Sequence, residues 1–247
     1  MRHPLSLTAV CAMLLTAGCA TAEGGASGTG DAKAAASASA VGTRAVRAAL
    51  DVTGRTTAHT EQTVELTANT MPPYVISASG AYDFAAHRGT ASVGLADVAR
   101  FQEVFTDARI YLRGTAGAES MPWSYIDRAD ADATHLLRSP GNDPEYTLRQ
   151  AALGEEFELV GKERTNGAPT THYRGLLPHK ALTLRMTKDA REQADQMRDL
   201  LHGRIPATAD VWVDAEKRVV RVKFTSDIAR AGVLSVSTLT LTKLGEP

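Results

Sequence analysis

The strongest constraint on this chain is an imbalance between extended and helical runs. Residues Thr60–Asn69, Tyr74–Phe84, Arg88–Ala96, Arg100–Thr106 and Arg109–Arg113 read as strands, as do Glu155–Thr165, Ala168–Leu177, Ala209–Ala215, Arg218–Ser226 and Gly232–Leu244. Each run alternates apolar and polar residues or is rich in β-branched and aromatic ones. A single longer helix is expected over Thr187–His202, where Met186, Ala190, Ala194, Met197, Leu200 and Leu201 recur at helical spacing and Gly203 and Pro206 stop it. Short helices are expected at Thr43–Leu50 and from Pro144 to about Gly154. The spacers are too short for parallel crossovers, so hairpins and meanders are expected. The expected fold class is therefore α+β, with about nine or ten antiparallel strands. One helix of four turns cannot cover so large a sheet. The sheet must curl into a half-barrel around the helices or leave a concave apolar face open.

Local signals refine this. Asn166-Gly167 between two extended runs is a hairpin turn. Gly80 suggests a bulge in its strand. In the last run, Leu234 and Val236 share one face while Leu239 and Leu241 share the other. A bulge near Ser237 would reconcile them. Glu119–Pro144, with Pro122, Pro140 and Pro144, reads as irregular.

The first residues read as an address. Met1-Arg2-His3 is a short positive start, and Leu5–Ala17 is an apolar core too short to span a bilayer. Leu15-Thr16-Ala17-Gly18-Cys19 follows and resembles the lipobox of bacterial lipoproteins, with Thr16 where leucine is usual. Cleavage before Cys19 would remove Cys11 and leave one thiol in an exported chain, which lipidation resolves. Two acyl chains give stable anchoring. Ordinary secretion after Ala20-Thr21-Ala22 is the alternative. The expected organisation is a signal peptide at 1–18, a lipidated Cys19 with a flexible tether through 42, and one domain over 43–247. The expected location is the extracytoplasmic face of the cell membrane.

Two segments carry a family resemblance. One runs Val160-Gly161-Lys162-Glu163, then Asn166-Gly167-Ala168-Pro169-Thr170-Thr171-His172-Tyr173-Arg174. The other runs from Asp210-Val211-Trp212-Val213-Asp214 through Ala215-Glu216-Lys217-Arg218-Val219-Val220-Arg221-Val222. With the lipobox and the Ala/Gly/Ser tether, they resemble the actinobacterial LppX/LprAFG lipoproteins. That family is similar in fold to the LolA/LolB carriers, in which a bent antiparallel sheet wraps helices and holds acylated lipid. A glycine often occupies the turn where this chain has Lys217. The resemblance implies no catalytic residues; no histidine after His3 pairs at i+4 with another His or Cys, so no metal is expected, and no cofactor is expected either. It implies an acylated lipid or glycolipid as cargo, and a monomer is expected.

The remaining chemistry is sparse. Twenty-seven Lys+Arg against 28 Asp+Glu leave no basic excess for nucleic acid. There is no GxSxG elbow, HExxH or phosphate loop. Asp130-Ala131-Asp132 starts like a calcium loop, but His135 and Gly141 stand where glycine and glutamate are needed. A non-enzymatic binding protein is therefore expected. Candidate cavity-lining residues are large apolar positions on single strand faces: Val64, Leu66, Tyr82, Phe84, Val93, Leu95, Phe157 and Leu159. The competing reading is an envelope scaffold, or a regulator of a membrane sensor, with no lipid cargo and a membrane protein as partner. Cavity volume separates the two, since ligand pockets start at about 300 Å³.

Overall fold

A computed structural model describes residues 28–69, 71–96 and 98–246. The expected signal peptide and Cys19 lie outside the described residues. Eleven strands form one antiparallel sheet: β1 (Thr57–Ala68), β2 (Met71–Asp83), β3 (Arg88–Leu95), β4 (Ala99–Phe105), β5 (Arg109–Ala116), β6 (Glu119–Asp127), β7 (Glu155–Thr165), β8 (Ala168–Leu176), β9 (Ala207–Val213), β10 (Val219–Ile228) and β11 (Val233–Thr242). Their spatial order is β6-β5-β4-β3-β2-β1-β11-β10-β9-β8-β7. Two meanders, β1–β6 and β7–β11, are thus joined where β1 pairs with β11. The helices are α1 (Gly28–Thr53), α2 (Pro144–Ala152), α3 (His179–Leu182) and α4 (Lys188–Leu200). α2 lies in the connection between the two edge strands, and α3 and α4 lie between β8 and β9.

The expected half-barrel class holds, with one strand more than expected. β6 falls in the segment read as irregular. Pro122 hid it, but β6 is an edge strand, and an edge tolerates proline. Gly80 marks no bulge: β2 keeps an unbroken register with β3 from Ile76 to Asp83. It marks a close approach instead. A Cβ at Gly80 would sit 1.8 Å from the Thr90 carbonyl oxygen, and one at Gly114 would sit 2.1 Å from that of Arg100. Missing side chains at these positions let neighbouring strands close on the concave face, which helps the sheet curl. The register of β11 with β1 and β10 is likewise unbroken at Ser237, so the expected bulge there is absent.

The tether expectation also needs correction. Residues 28–42 are helical, continuing into the short helix expected at Thr43–Leu50. Alanine is the best helix former, and an Ala-rich run that cannot build a core can still extend a docked helix. The docked part is the C-terminal half, where Val46, Ala49 and Leu50 are buried. Gly42 allows it to lie against the edge strand, since a Cβ there would be 2.0 Å from the Phe157 carbonyl oxygen. Thr43 Oγ1 accepts a hydrogen bond from Phe157 N at 3.2 Å, and Thr53 Oγ1 accepts one from Val219 N at 2.7 Å. α1 thereby satisfies part of an exposed strand edge.

Both expected hairpin turns form. Asn166 and Gly167 have φ of 52° and 81°, as a type I′ turn requires. In the β9–β10 turn Lys217 is left-handed at φ 64°, and Asp214 accepts from Arg218 N at 2.8 Å. A non-glycine residue there is strained by about 1–2 kcal/mol. Lys217→Gly is expected to raise stability by about 1 kcal/mol, read as a higher urea midpoint at unchanged slope.

Candidate functional site

The concave face divides into a filled end and a looser end. At the filled end Tyr82, Phe84 and Phe105 form an aromatic cluster, with ring centroids 4.8 Å and 5.7 Å from Tyr82. Arg128 closes this end. Its guanidinium pairs with Asp143 at 2.7 Å and Glu145 at 2.8 Å, and also donates to the Tyr82 hydroxyl. Burial pushes the Tyr82 hydroxyl pKa well up, so it stays protonated. Such a satisfied buried network fixes the geometry of this end.

The looser end lies under α4. Thr187 caps this helix by accepting from Ala190 N at 3.2 Å. The helix turns Ala190, Ala194 and Met197 toward the ends of β1, β2, β10 and β11. Among its 13 residues only Ala194 is buried, and Leu200, expected on its apolar face, is exposed. Two alanines where a packed helix would carry larger side chains leave a gap. That gap is an apolar cavity of about 210 Å³, with Val64, Leu66, Ile76, Met186, Ile228 and Val233 among its walls. Thr134, His135 and Gln193, all exposed, mark its rim, and Ser226 and Ser235 also line it. α4 is held from outside by His179, whose Nε2 lies 2.7 Å from Asp195 Oδ1, and by Arg191, which donates to the Thr183 carbonyl at 3.0 Å.

Of the eight expected lining residues, Val64 and Leu66 line this cavity. Val93 borders a separate open depression of about 610 Å³ with a mixed polar wall that includes Arg100, Gln102 and Arg113. Leu95 is half-buried against the core. Tyr82 borders an open depression of about 990 Å³ with Ala58, Val104 and Phe105, Phe84 borders a small one of about 170 Å³ with Leu50 and Leu148, and Phe157 is fully buried near Gly42 and Gly175. Leu159 is 62% exposed on the edge strand and lines nothing. Alternation gives the face of a strand residue but not whether that face is covered. Register shifts on either side of Leu159 further break the pattern. Sequence reasoning missed Met186, Ala190 and Met197 as cavity walls, although their helical spacing was visible. It also missed the inward serines.

Polar and aromatic residues of the two segments that carry the resemblance meet on the opposite, convex face, while Val211, Val213, Val219 and Val222 face the core. His172 stacks on Trp212 with ring centroids 4.4 Å apart, and its ring nitrogens lie 2.6 Å from Asp210 and 3.1 Å from Glu163. Arg174 Nε donates to Asp210 at 2.8 Å, and the Trp212 indole N–H donates to Glu163. These residues clamp β7, β8 and β9 together and do not touch the cavity.

No protein-family model matches the chain, and no curated protein matches it. Among solved structures the chain is similar to LprF from Mycobacterium bovis, at 11% identity and a TM-score of 0.48, over 84% of this chain and 94% of that one. It is also similar to lipoprotein LppX from Mycobacterium tuberculosis, at 17% identity and a TM-score of 0.48, over 84% and 97%. A LolA superfamily protein from Nitrosomonas europaea aligns at 7% identity and a TM-score of 0.33, over 83% and 92%.

Proposed function

We propose that this protein is a lipoprotein of the cell envelope, anchored through Cys19, that binds an acylated lipid between its curved sheet and α4 and carries or presents it. The observation that carries this reading is the largely apolar lining of the space of about 210 Å³ under α4, a helix that buries one side chain. Each methylene moved from water into such a site contributes about 0.8 kcal/mol. A chain of ten methylenes therefore brings about 8 kcal/mol, enough to displace a weakly packed helix. In the closed form there is room for part of a chain, so α4 must move outward to admit more. The His179–Asp195 bond and the Arg191 contact are the restraints that motion breaks.

The same volume supports a second reading. At about 210 Å³ the cavity is below the range of about 300 Å³ and upward typical of ligand pockets, which favours a scaffold without cargo. Mass spectrometry of lipids extracted from the full chain carrying Cys19→Ser, exported from an actinobacterial host, separates the two. Stoichiometric acyl lipid that survives washing is expected, and it would be cargo because the protein's own anchor is gone. An empty, monodisperse protein would overturn the lipid reading and leave the scaffold.

A further inference from the structure

The inner face of the cavity carries hydroxyls where its strands had apolar residues to offer. On β11 the inward positions are Val233, Ser235, Ser237, Leu239 and Leu241, while Leu234 and Val236 face outward. A bulge near Ser237 would bury Leu234 and Val236 together with Leu239 and Leu241 and turn Ser235 outward, yet the register runs unbroken. On β10, Ser226 sits between the inward Phe224 and Ile228, and it is the direct cross-strand partner of Ser235. Ser226 is 2% exposed, and its Oγ has no hydrogen-bond partner among the described residues. An unpaired buried hydroxyl is unfavourable, and the chain keeps it at the wall of a largely apolar cavity whose polar lining also includes Ser235 and Arg138. Local sequence preference and burial disagree here, which is expected where a site is kept for a ligand rather than for stability.

We infer that the cavity selects an acyl ligand bearing an oxygen, as a chain hydroxyl or an ester carbonyl, that hydrogen-bonds the Ser226 hydroxyl. This rests on the acyl-binding reading above. Ser226 is the specificity-determining residue and Ser235 lies beside it. A plain alkyl chain fills the same walls but leaves the hydroxyl unpaired. The site therefore discriminates against the unoxygenated analogue more sharply than a purely apolar pocket would.

The test uses the full chain carrying Cys19→Ser, stripped of lipid, and displacement of a fluorescent fatty acid. Two matched pairs are titrated: 12-hydroxystearate against stearate, and 1-monostearin against 1-O-octadecylglycerol, which lacks the carbonyl. The expected result is that the oxygenated member of one pair binds about tenfold tighter, and which pair does so identifies the source of the oxygen. Ser226→Ala should reduce that ratio to within about twofold, with the unoxygenated member binding at least as well as before. The variant should melt at or above the parent temperature, because it removes an unpaired group. If all four ligands bind and neither pair differs, Ser226 holds an ordered water only, and the inference falls while acyl binding stands. If the ratio survives Ser226→Ala, another group reads the oxygen and the inference is overturned. If none of the four binds, the acyl-binding reading falls and takes the inference with it.

Discussion

Raising the pH from about 4.5 to 8 is expected to destabilise the folded protein by about 3 kcal/mol through Glu103 alone. Glu103 lies on the concave face of β4 and is 7% exposed. Its Oε1 accepts from Asn142 Nδ2 at 2.9 Å, while its buried Oε2 has no partner among the described residues. Burial raises its pKa from an ordinary 4.5 to about 7, with Asp143 adding to the rise and Asn142 and Arg138 opposing it. The folded state therefore holds the proton more tightly than the unfolded chain. Its contribution is fully present below pH 4.5 and is lost as pH rises through about 7. Glu103→Gln keeps an acceptor for Asn142 and removes the charge. Urea unfolding of both proteins at pH 4.5, 6, 7 and 8 measures the difference. The variant should gain on the parent across that window, and parallel curves would show that Glu103 does not titrate on folding.

Gly80→Ala is expected to cost about 4 kcal/mol or more, which places it among the most damaging single substitutions. The new Cβ would stand 1.8 Å from the Thr90 carbonyl oxygen and 2.8 Å from Ala91 Cα, both rigid backbone of the adjacent strand. Relief requires β2 and β3 to separate in the middle of the curved sheet, close to Glu103 in the same row of paired residues. Gly161→Ala is the matched control. That glycine lies in the edge strand β7, and a Cβ there meets nothing within 4 Å. It should be neutral or slightly stabilising, since alanine loses less backbone entropy on folding. Thermal unfolding of the two variants should differ by about 8–16 °C or more, or show Gly80→Ala unfolded. Similar melting temperatures would mean that the sheet can open at β2–β3 without loss.

Much of the architecture was legible from period and punctuation. Val64 and Leu66, or Val211 and Val213, announce strands because side chains alternate across a pleat, and Asn166-Gly167 announces its turn because both residues tolerate positive φ. α4 announced itself because Ala190, Ala194 and Met197 repeat at helical spacing. β6 did not, because proline counts against a strand until the strand is known to be an edge. The site was less legible. Leu159 and Phe157 look alike in sequence, but α1 and the neighbouring glycines bury one and leave the other open. Leu234 and Val236 look like core, and Ser235 and Ser237 look like surface, yet the register with β1 and β10 reverses them.

The sequence by itself therefore determined which residues form strands, where the turns fall, that the sheet must curl, and that no familiar catalytic motif is written along the chain. Those are properties of neighbours within a few residues, set by backbone sterics and side-chain period. Only the tertiary structure decided which strand faces are covered, where two alanines leave a cavity, and that a serine hydroxyl is buried at its wall. Burial and volume depend on what residues far apart in the chain place against one another. Ser226 meets Ser235 through strand register, and both line one cavity with Ala194 only because α4 folds back across the sheet.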